Sequence, residues 1–210
     1  MTWSAIQSKI GACSDCSHLW PGEVCRPLMP GEIPDPPSRV RLLFVGVAPT
    51  PEQGPDSGGH FYTSTSDKLR AGLFRLLAKP PFDVQLTGLD LRRGNVAFFD
   101  ASFFFVHAAK VRPVSASSPP KACVRFCAAK HLREEILALR PSAICFLGKG
   151  NATPAAKELF GDGVGADPLE VALEDWRGLV AVASQPVRGH EATTRTIVER
   201  LDHLLRREDL

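Results

Sequence analysis

Four short apolar runs frame this chain: residues 40–47, 102–108, 143–147 and 179–183. Each is predominantly apolar rather than alternating, the pattern of strands covered on both faces, as in a parallel sheet between helices. Helical spacing fills the intervals. Residues 66–78 carry Leu69, Leu73, Leu76 and Leu77 on one face, and residues 119–139 form a longer helix closed by Pro141. Residues 151–160 make a shorter helix with Asn151 near its start as a cap, and residues 191–205 place Ile197, Leu201, Leu204 and Leu205 at helical spacing. The alternation predicts an α/β fold, a three-layer α/β/α sandwich around a central, mainly parallel four-stranded sheet, in one domain over residues 1–210. Residues 1–38 read as a short helix (3–11) followed by an irregular, cysteine-containing arm. Asn95, Val96 and the Phe-rich run before His107 read as core and turn, and residues 114–120 as a loop.

Open α/β sheets bind ligands beyond the carboxyl ends of their strands. The first run stops at Gly46-Val47-Ala48-Pro49 and opens into a polar, glycine-punctuated loop holding Glu52, Gln53 and Asp56, which closes on His60-Phe61-Tyr62. The second ends in His107, followed by Lys110 and Arg112; the third in Gly148-Lys149-Gly150-Asn151; the fourth in Gln185, Pro186, Arg188 and His190. One rim then carries carboxylates, an imidazole, an amide, cations and an aromatic ring. That set suits a polar, planar ligand attached to something anionic.

Composition narrows this only a little. The length of 210 residues suits one substantial core, and 25 basic against 23 acidic residues give a net charge of +2. Such a balance leaves phosphate binding to local patches. The apolar runs are far too short to span a bilayer and no export signal is evident, so a cytoplasmic monomer without a membrane partner is expected. In that setting the Cys13-x-x-Cys16 pair points to metal or redox chemistry rather than disulfides. Cys145, inside an apolar run, reads as a buried small hydrophobe.

Four segments together resemble the uracil-DNA glycosylase superfamily, particularly its bacterial and archaeal families four and five: C-S-D-C at 13–16, V-G-V-A-P at 45–49 with G-G-H-F-Y-T at 58–63, H-A-A-K-V-R-P at 107–113 followed by a helix with Cys127, and R-P-S-A-I-C-F-L-G-K at 140–149. The resemblance implies a DNA partner, base flipping and N-glycosidic cleavage of uracil or a related deaminated or modified base. It implies that Phe61 stacks on the base and that Gly46, Val47, Ala48, Pro49 and Gln53 line its site. It also implies phosphate or groove contacts from Lys110, Arg112, Lys149, Arg188 and His190.

Three departures qualify the match. Val47 stands where family four has a glutamate, which hands the water-positioning role to Glu52, Gln53 or, preferentially, Asp56. His107 replaces a base-reading asparagine, and Gln185 replaces a histidine that stabilises the departing anion. With Asp56 they form the expected catalytic set. The same departures support an alternative, a DNA-binding module that recognises such bases without cleaving them. The resemblance further implies a structural four-iron cluster. Cys13 and Cys16 match the first two ligands and Cys127 the last, Val111 occupies the third position, and Cys123, one helical turn before Cys127, is the expected substitute. Cys25 is a second candidate, and zinc an alternative to iron on ligand type. A thiol redox protein is a weaker third reading, since C-S-D-C lies in an irregular arm rather than at a strand-to-helix turn.

Overall fold

The computed structural model describes residues 2–15, 18–21, 23–51, 60–114, 118–187 and 189–208, without the side chains of Cys25 and Glu208. Glu52, Gln53, Asp56, Cys16 and Arg188 therefore lie outside the described residues.

The predicted sandwich is present, with one strand more than expected. β1 (Cys25–Pro27) pairs antiparallel with β4 (Val111–Pro113) in a small separate ribbon. β2 (Leu42–Gly46), β3 (Phe103–His107), β5 (Ala143–Leu147), β6 (Leu169–Leu173) and β7 (Trp176–Ala183) form the main sheet in the order β3-β2-β5-β7-β6. The first four strands of that order are parallel, and every residue of β2, β3 and β5 is buried.

Strand β6 escapes the sequence pattern because it is a largely exposed antiparallel edge whose apolar stretch, Val171 to Leu173, is short and separated from Leu169 by Glu170. It hairpins into β7 through Glu174-Asp175, a turn that lacks the Asn or Gly signal, with Glu174 at φ 54°.

The helices are α1 (Trp3–Gly11), α2 (Lys68–Leu77), α3 (Leu91–Asp100), α4 (Lys121–Cys127), α5 (Arg133–Leu139), α6 (Thr153–Phe160) and α7 (Glu191–Glu208). A π-helical turn at Ala128–Leu132 joins α4 to α5, so the single helix expected over 119–139 is one rod with a bulge. Helix α3 corrects the reading of Asn95 and Val96 as turn. Its N-cap Asp90 accepts from the Arg93 amide at 2.8 Å, but Gly94 and Asn95 weaken its helical signature. Gly94 leaves room for Arg70: a Cβ would lie 2.7 Å from a guanidinium nitrogen, which would have to move aside.

Registers align the strand ends. Gly46 pairs with His107 across β2–β3, and Leu147 with Ala183 across β5–β7. The ladder runs on past β3, with the Ala108 and Ala109 amides donating to the Gly46 and Val47 carbonyls at 2.8 Å. Val47, Ala48 and His107 are thereby held side by side.

Beneath them lies a dense aromatic core. Phe61 stacks on Phe105 with centroids 4.0 Å apart, and Phe44, Phe74, Phe98 and Phe103 continue it. Each buried ring contributes on the order of 2 kcal/mol from burial, with a smaller gain from edge and offset contacts.

Candidate active site

A cavity of about 530 Å³ opens at the carboxyl ends of the parallel strands. The segment after β2 supplies Val47 to Pro51, β3 supplies His107, the segment after β7 supplies Gln185, and Phe61 lies on its wall. The three residues on which the functional reading turned, from distant parts of the chain, thus share one hollow. A second hollow of about 420 Å³ shares Val47, Asn151 and Gln185 with it and extends to Lys149 and His190, both exposed. Together they make a groove across the strand ends.

Phe61 is only 1% exposed, with one ring face covered by Phe105. The neighbouring Tyr62 pins the segment to the sheet edge, where β3 would otherwise leave backbone groups unpaired. Its hydroxyl donates to the Phe105 carbonyl at 3.1 Å and accepts from the Phe105 amide at 2.7 Å. Arg70, buried in α2, donates to the Phe61 carbonyl at 3.0 Å and to Asn95 Oδ1 at 2.5 Å, and its guanidinium carbon lies 4.1 Å from the Phe74 ring centroid. Burial lowers its pKa to about 10, so it keeps its charge at neutral pH.

His107 is 5% exposed and meets Phe105 edge-on, with centroids 4.8 Å apart. Burial, then the nearby His60, Lys110 and Arg112, hold its pKa well below the ordinary imidazole value. The ring is therefore neutral near pH 7, with one donor and one acceptor nitrogen.

Gln185 leaves β7 on a loop that packs tightly on α2. A Cβ at Gly72 would lie 1.7 Å from the Pro186 carbonyl oxygen, so only glycine permits this approach. Gly148, at φ +118°, adopts a backbone conformation that favours glycine and sits under Val47 and Gln185.

Several expected site residues stand elsewhere. Gly46 is absent from the cavity wall; its missing side chain makes room for Phe105, whose ring carbon would meet a Cβ at 2.7 Å. Lys110 is not on the rim. It is 1% exposed, ion-paired with buried Glu135 of α5, and donates to the His107 carbonyl. Burial pushes the Lys110 pKa down and the Glu135 pKa up, while their attraction opposes both. Arg112 points into a different hollow, beside Arg26 and Glu32, with Glu32 Oε1 at 3.8 Å.

Conversely, Asp67 lines the cavity and was missed, because an acidic residue before a helix reads as an ordinary N-cap. It does cap α2, accepting from the Arg70 amide at 2.7 Å, and takes the Thr50 hydroxyl at 3.3 Å. Burial nonetheless raises its pKa.

Cys123 and Cys127 are buried one turn apart on α4. Cys13 is half-buried, 3.9 Å from Lys130 Nζ, so the arm brings it to the end of the helix that carries Cys127. Cys145 is core, its thiol pushed up to about 12 by burial. Among the described residues no group of three or more His, Cys, Asp or Glu side chains is arranged to hold a metal ion. No described helix is long and apolar enough to cross a membrane.

Two comparisons bear on this geometry. A search of curated proteins returns no match. The family described as Uracil DNA glycosylase superfamily matches residues 33–189, most of the chain and every described wall of the cavity.

Proposed function

Since this chain belongs to the uracil DNA glycosylase superfamily, we propose that it flips a deaminated or modified base out of DNA and hydrolyses its N-glycosidic bond. The observation that carries this reading is the convergence of Phe61, Asp67, His107 and Gln185 on one cavity at the strand ends. An extruded base needs a flat apolar wall and polar groups along its edge. The apolar lining at Val47, Ala48 and Pro49, backed by buried Phe61, supplies the wall; His107 and Gln185 supply the edge.

Asp67 takes the carboxylate role that Val47 cannot. The bond between C1′ and the base nitrogen breaks with its electrons leaving on the base, while a water oxygen bonds to C1′. Ionised Asp67 orients that water and accepts its proton, and the Gln185 amide donates to the anionic base. Exposed Lys149 and His190 lie along the groove in reach of a phosphate backbone.

Four cysteines, Cys13, Cys16, Cys123 and Cys127, are the proposed holders of an iron–sulfur cluster. Cys123 and Cys127 lie one turn apart on α4 and Cys13 stands beside Lys130, just past that helix; the donor type, rather than a ready-made cage among the described residues, supports thiolate ligation. When bound, such a group would cross-link the arm to α4 rather than take part in the reaction. Visible absorbance and iron content of the purified protein test this, with bound zinc the competing outcome.

The enzymatic test uses labelled oligonucleotides carrying uracil, hypoxanthine, xanthine or hydroxymethylated cytosine, followed by alkali. Strand breaks that form far more slowly in Asp67→Asn and Gln185→Ala are expected. Retarded migration with no breaks for any base would instead establish the binding-module reading, which the apolar Val47 and the neutral Gln185 favour.

A further inference from the structure

The two edges of the main sheet are treated differently. At β3 the Tyr62 hydroxyl meets the amide and the carbonyl of Phe105, so that edge is covered. β6 is the last strand at the other edge, and its pairing with β7 runs without a bulge. No lysine or proline stands within it, and Leu169, Glu170 and Ala172 are exposed. Apart from the single charge of Glu170, the devices that keep an edge from pairing with another chain are missing among the described residues. The outward backbone groups follow from the register. The Leu179 amide donates to the Ser142 carbonyl, toward β5, and the Val182 amide to the Gly165 carbonyl, on the β6 side. Trp176, Gly178 and Val180 therefore bond toward β6, and their partners Leu173, Val171 and Leu169 bond back. Glu170 and Ala172 are left with N–H and C=O facing outward, where a further strand would lie.

An antiparallel strand added there must set its own outward-facing residues against these. For β6 of a second copy the possible registers differ in charge. Centring the pair on Glu170 opposes the two Glu170 carboxylates, and centring it on Ala172 opposes Glu170 and Glu174; like charges directly opposite are destabilising. Centring it on Val171 sets each Glu170 against Ala172 of the other copy. The Glu170 carboxylate can then reach over the alanine methyl toward Arg177, which is exposed and stands beside Ala172 in β7. On the other face the same register brings Leu169 against Leu173 and Val171 against Val171, covering Leu169, which is 40% exposed in the single chain. Beyond the paired stretch Asp167 would approach Asp175, but each is already met by an arginine of its own chain, Arg200 and Arg140. Backbone, charge and apolar contacts thus favour one register, and it is self-complementary.

We propose that this protein forms a two-fold symmetric dimer through β6, the strands pairing antiparallel about Val171 and joining the two five-stranded sheets into one. This departs from the monomer that the sequence suggests. The two-fold axis stands perpendicular to the joined sheet, so the strand ends that carry the cavity point in opposite directions in the two copies. Each copy keeps its own cavity and groove, and neither contributes a residue to the other's. The proposal therefore stands apart from the glycosylase reading.

Sedimentation equilibrium of the full chain over a range of concentrations tests it. The wild type is expected to show a reversible monomer–dimer equilibrium. Ala172→Glu sets a second carboxylate against Glu170 twice over by symmetry, and is expected to weaken the dimer about tenfold or more. Adding Glu170→Lys to Ala172→Glu makes the opposed side chains opposite in charge and should recover most of that loss. Arg177→Glu, on the neighbouring strand, gives a second reading and should also weaken the dimer. All three positions are exposed, so each variant should keep the wild-type far-ultraviolet circular dichroism. Wild-type protein that stays monomeric at its highest soluble concentration overturns the proposal and leaves the edge to a strand of another protein. A dimer indifferent to both Ala172→Glu and Arg177→Glu overturns it as well. Oligonucleotide cutting per chain is expected to be the same in Ala172→Glu as in the wild type, so failure of the dimer and failure of the glycosylase reading are told apart.

Discussion

Two buried cations flank the cavity, one on each side, and both donate to the backbone carbonyl of a ring on its wall. Arg70 of α2 holds Phe61; Lys110, just beyond β3, holds His107. They are stabilised in different ways. Arg70 spreads its charge over a planar guanidinium and is met by aromatic faces, a backbone carbonyl and the neutral amide of Asn95. The compact Lys110 ammonium is instead matched by the Glu135 carboxylate, buried as deeply as itself. A delocalised cation accepts a cage of neutral partners, whereas a point charge out of water needs an opposite charge. The wall at Phe61 is therefore fixed by packing and the wall at His107 by an ion pair.

The comparison breaks hardest at Glu135. Glu135→Ala leaves an uncompensated buried ammonium and is expected to cost about 3–5 kcal/mol, read as a lowered urea midpoint. Lys110→Met combined with Glu135→Leu should recover most of that loss. A double variant no better than Glu135→Ala would show that the charge itself is needed to hold the His107 carbonyl.

Next comes Arg70. Arg70→Met removes the charge-assisted bonds to Phe61, Asn95 and Leu91 and the ring contacts, at a cost of about 2–3 kcal/mol. Arg70→Lys should be nearly as damaging, since one ammonium cannot reach Phe61, Asn95 and the ring faces together. Full stability in Arg70→Lys would erase the distinction drawn between the two cations.

Asp67, capping the helix that carries Arg70, sharpens the contrast on the side of chemistry. Asp67→Asn keeps the cap, because asparagine caps as well as aspartate, yet is expected to lower the cleavage rate about 100-fold. The proposed mechanism uses the ionised carboxylate, and burial raises the pKa of Asp67. The wild-type rate should therefore fall on acidification starting above the usual aspartate range, and that acid limb should be missing from the residual activity of Asp67→Asn. His107, its pKa held well below the ordinary imidazole value, should add no step near pH 6.5.

The smallest effect belongs to an exposed cation. Lys149→Ala should leave the unfolding midpoint within about 0.5 kcal/mol of wild type. It should weaken oligonucleotide binding evenly across sequences and reduce the salt-dependence slope by about 1.

These residues also mark how far the chain could be read before folding. Strands β2, β3 and β5 were legible because burial on both faces demands unbroken apolar runs, and strand polarity then placed Phe61, His107 and Gln185 near one end of the sheet. Lys110 was misplaced because a lysine just past a strand normally reaches water, and its partner lies 25 residues later on another element. Asp67 was overlooked because its capping role accounts for it locally. Helix α3 was hidden by Gly94 and Asn95, which serve Arg70 rather than the helix.

Local patterns, then, were enough for the layers, the buried parallel strands with most of the helices between them, and the end of the sheet where the cavity opens. Those follow from the periodicity of burial, which each segment carries by itself. Which polar side chains face the cavity and which are locked inside was settled only by long-range pairing. The state of a buried charge or imidazole depends on neighbours that the linear order keeps far apart, and only their arrival in one dry space determines whether it binds a ligand or another part of the chain.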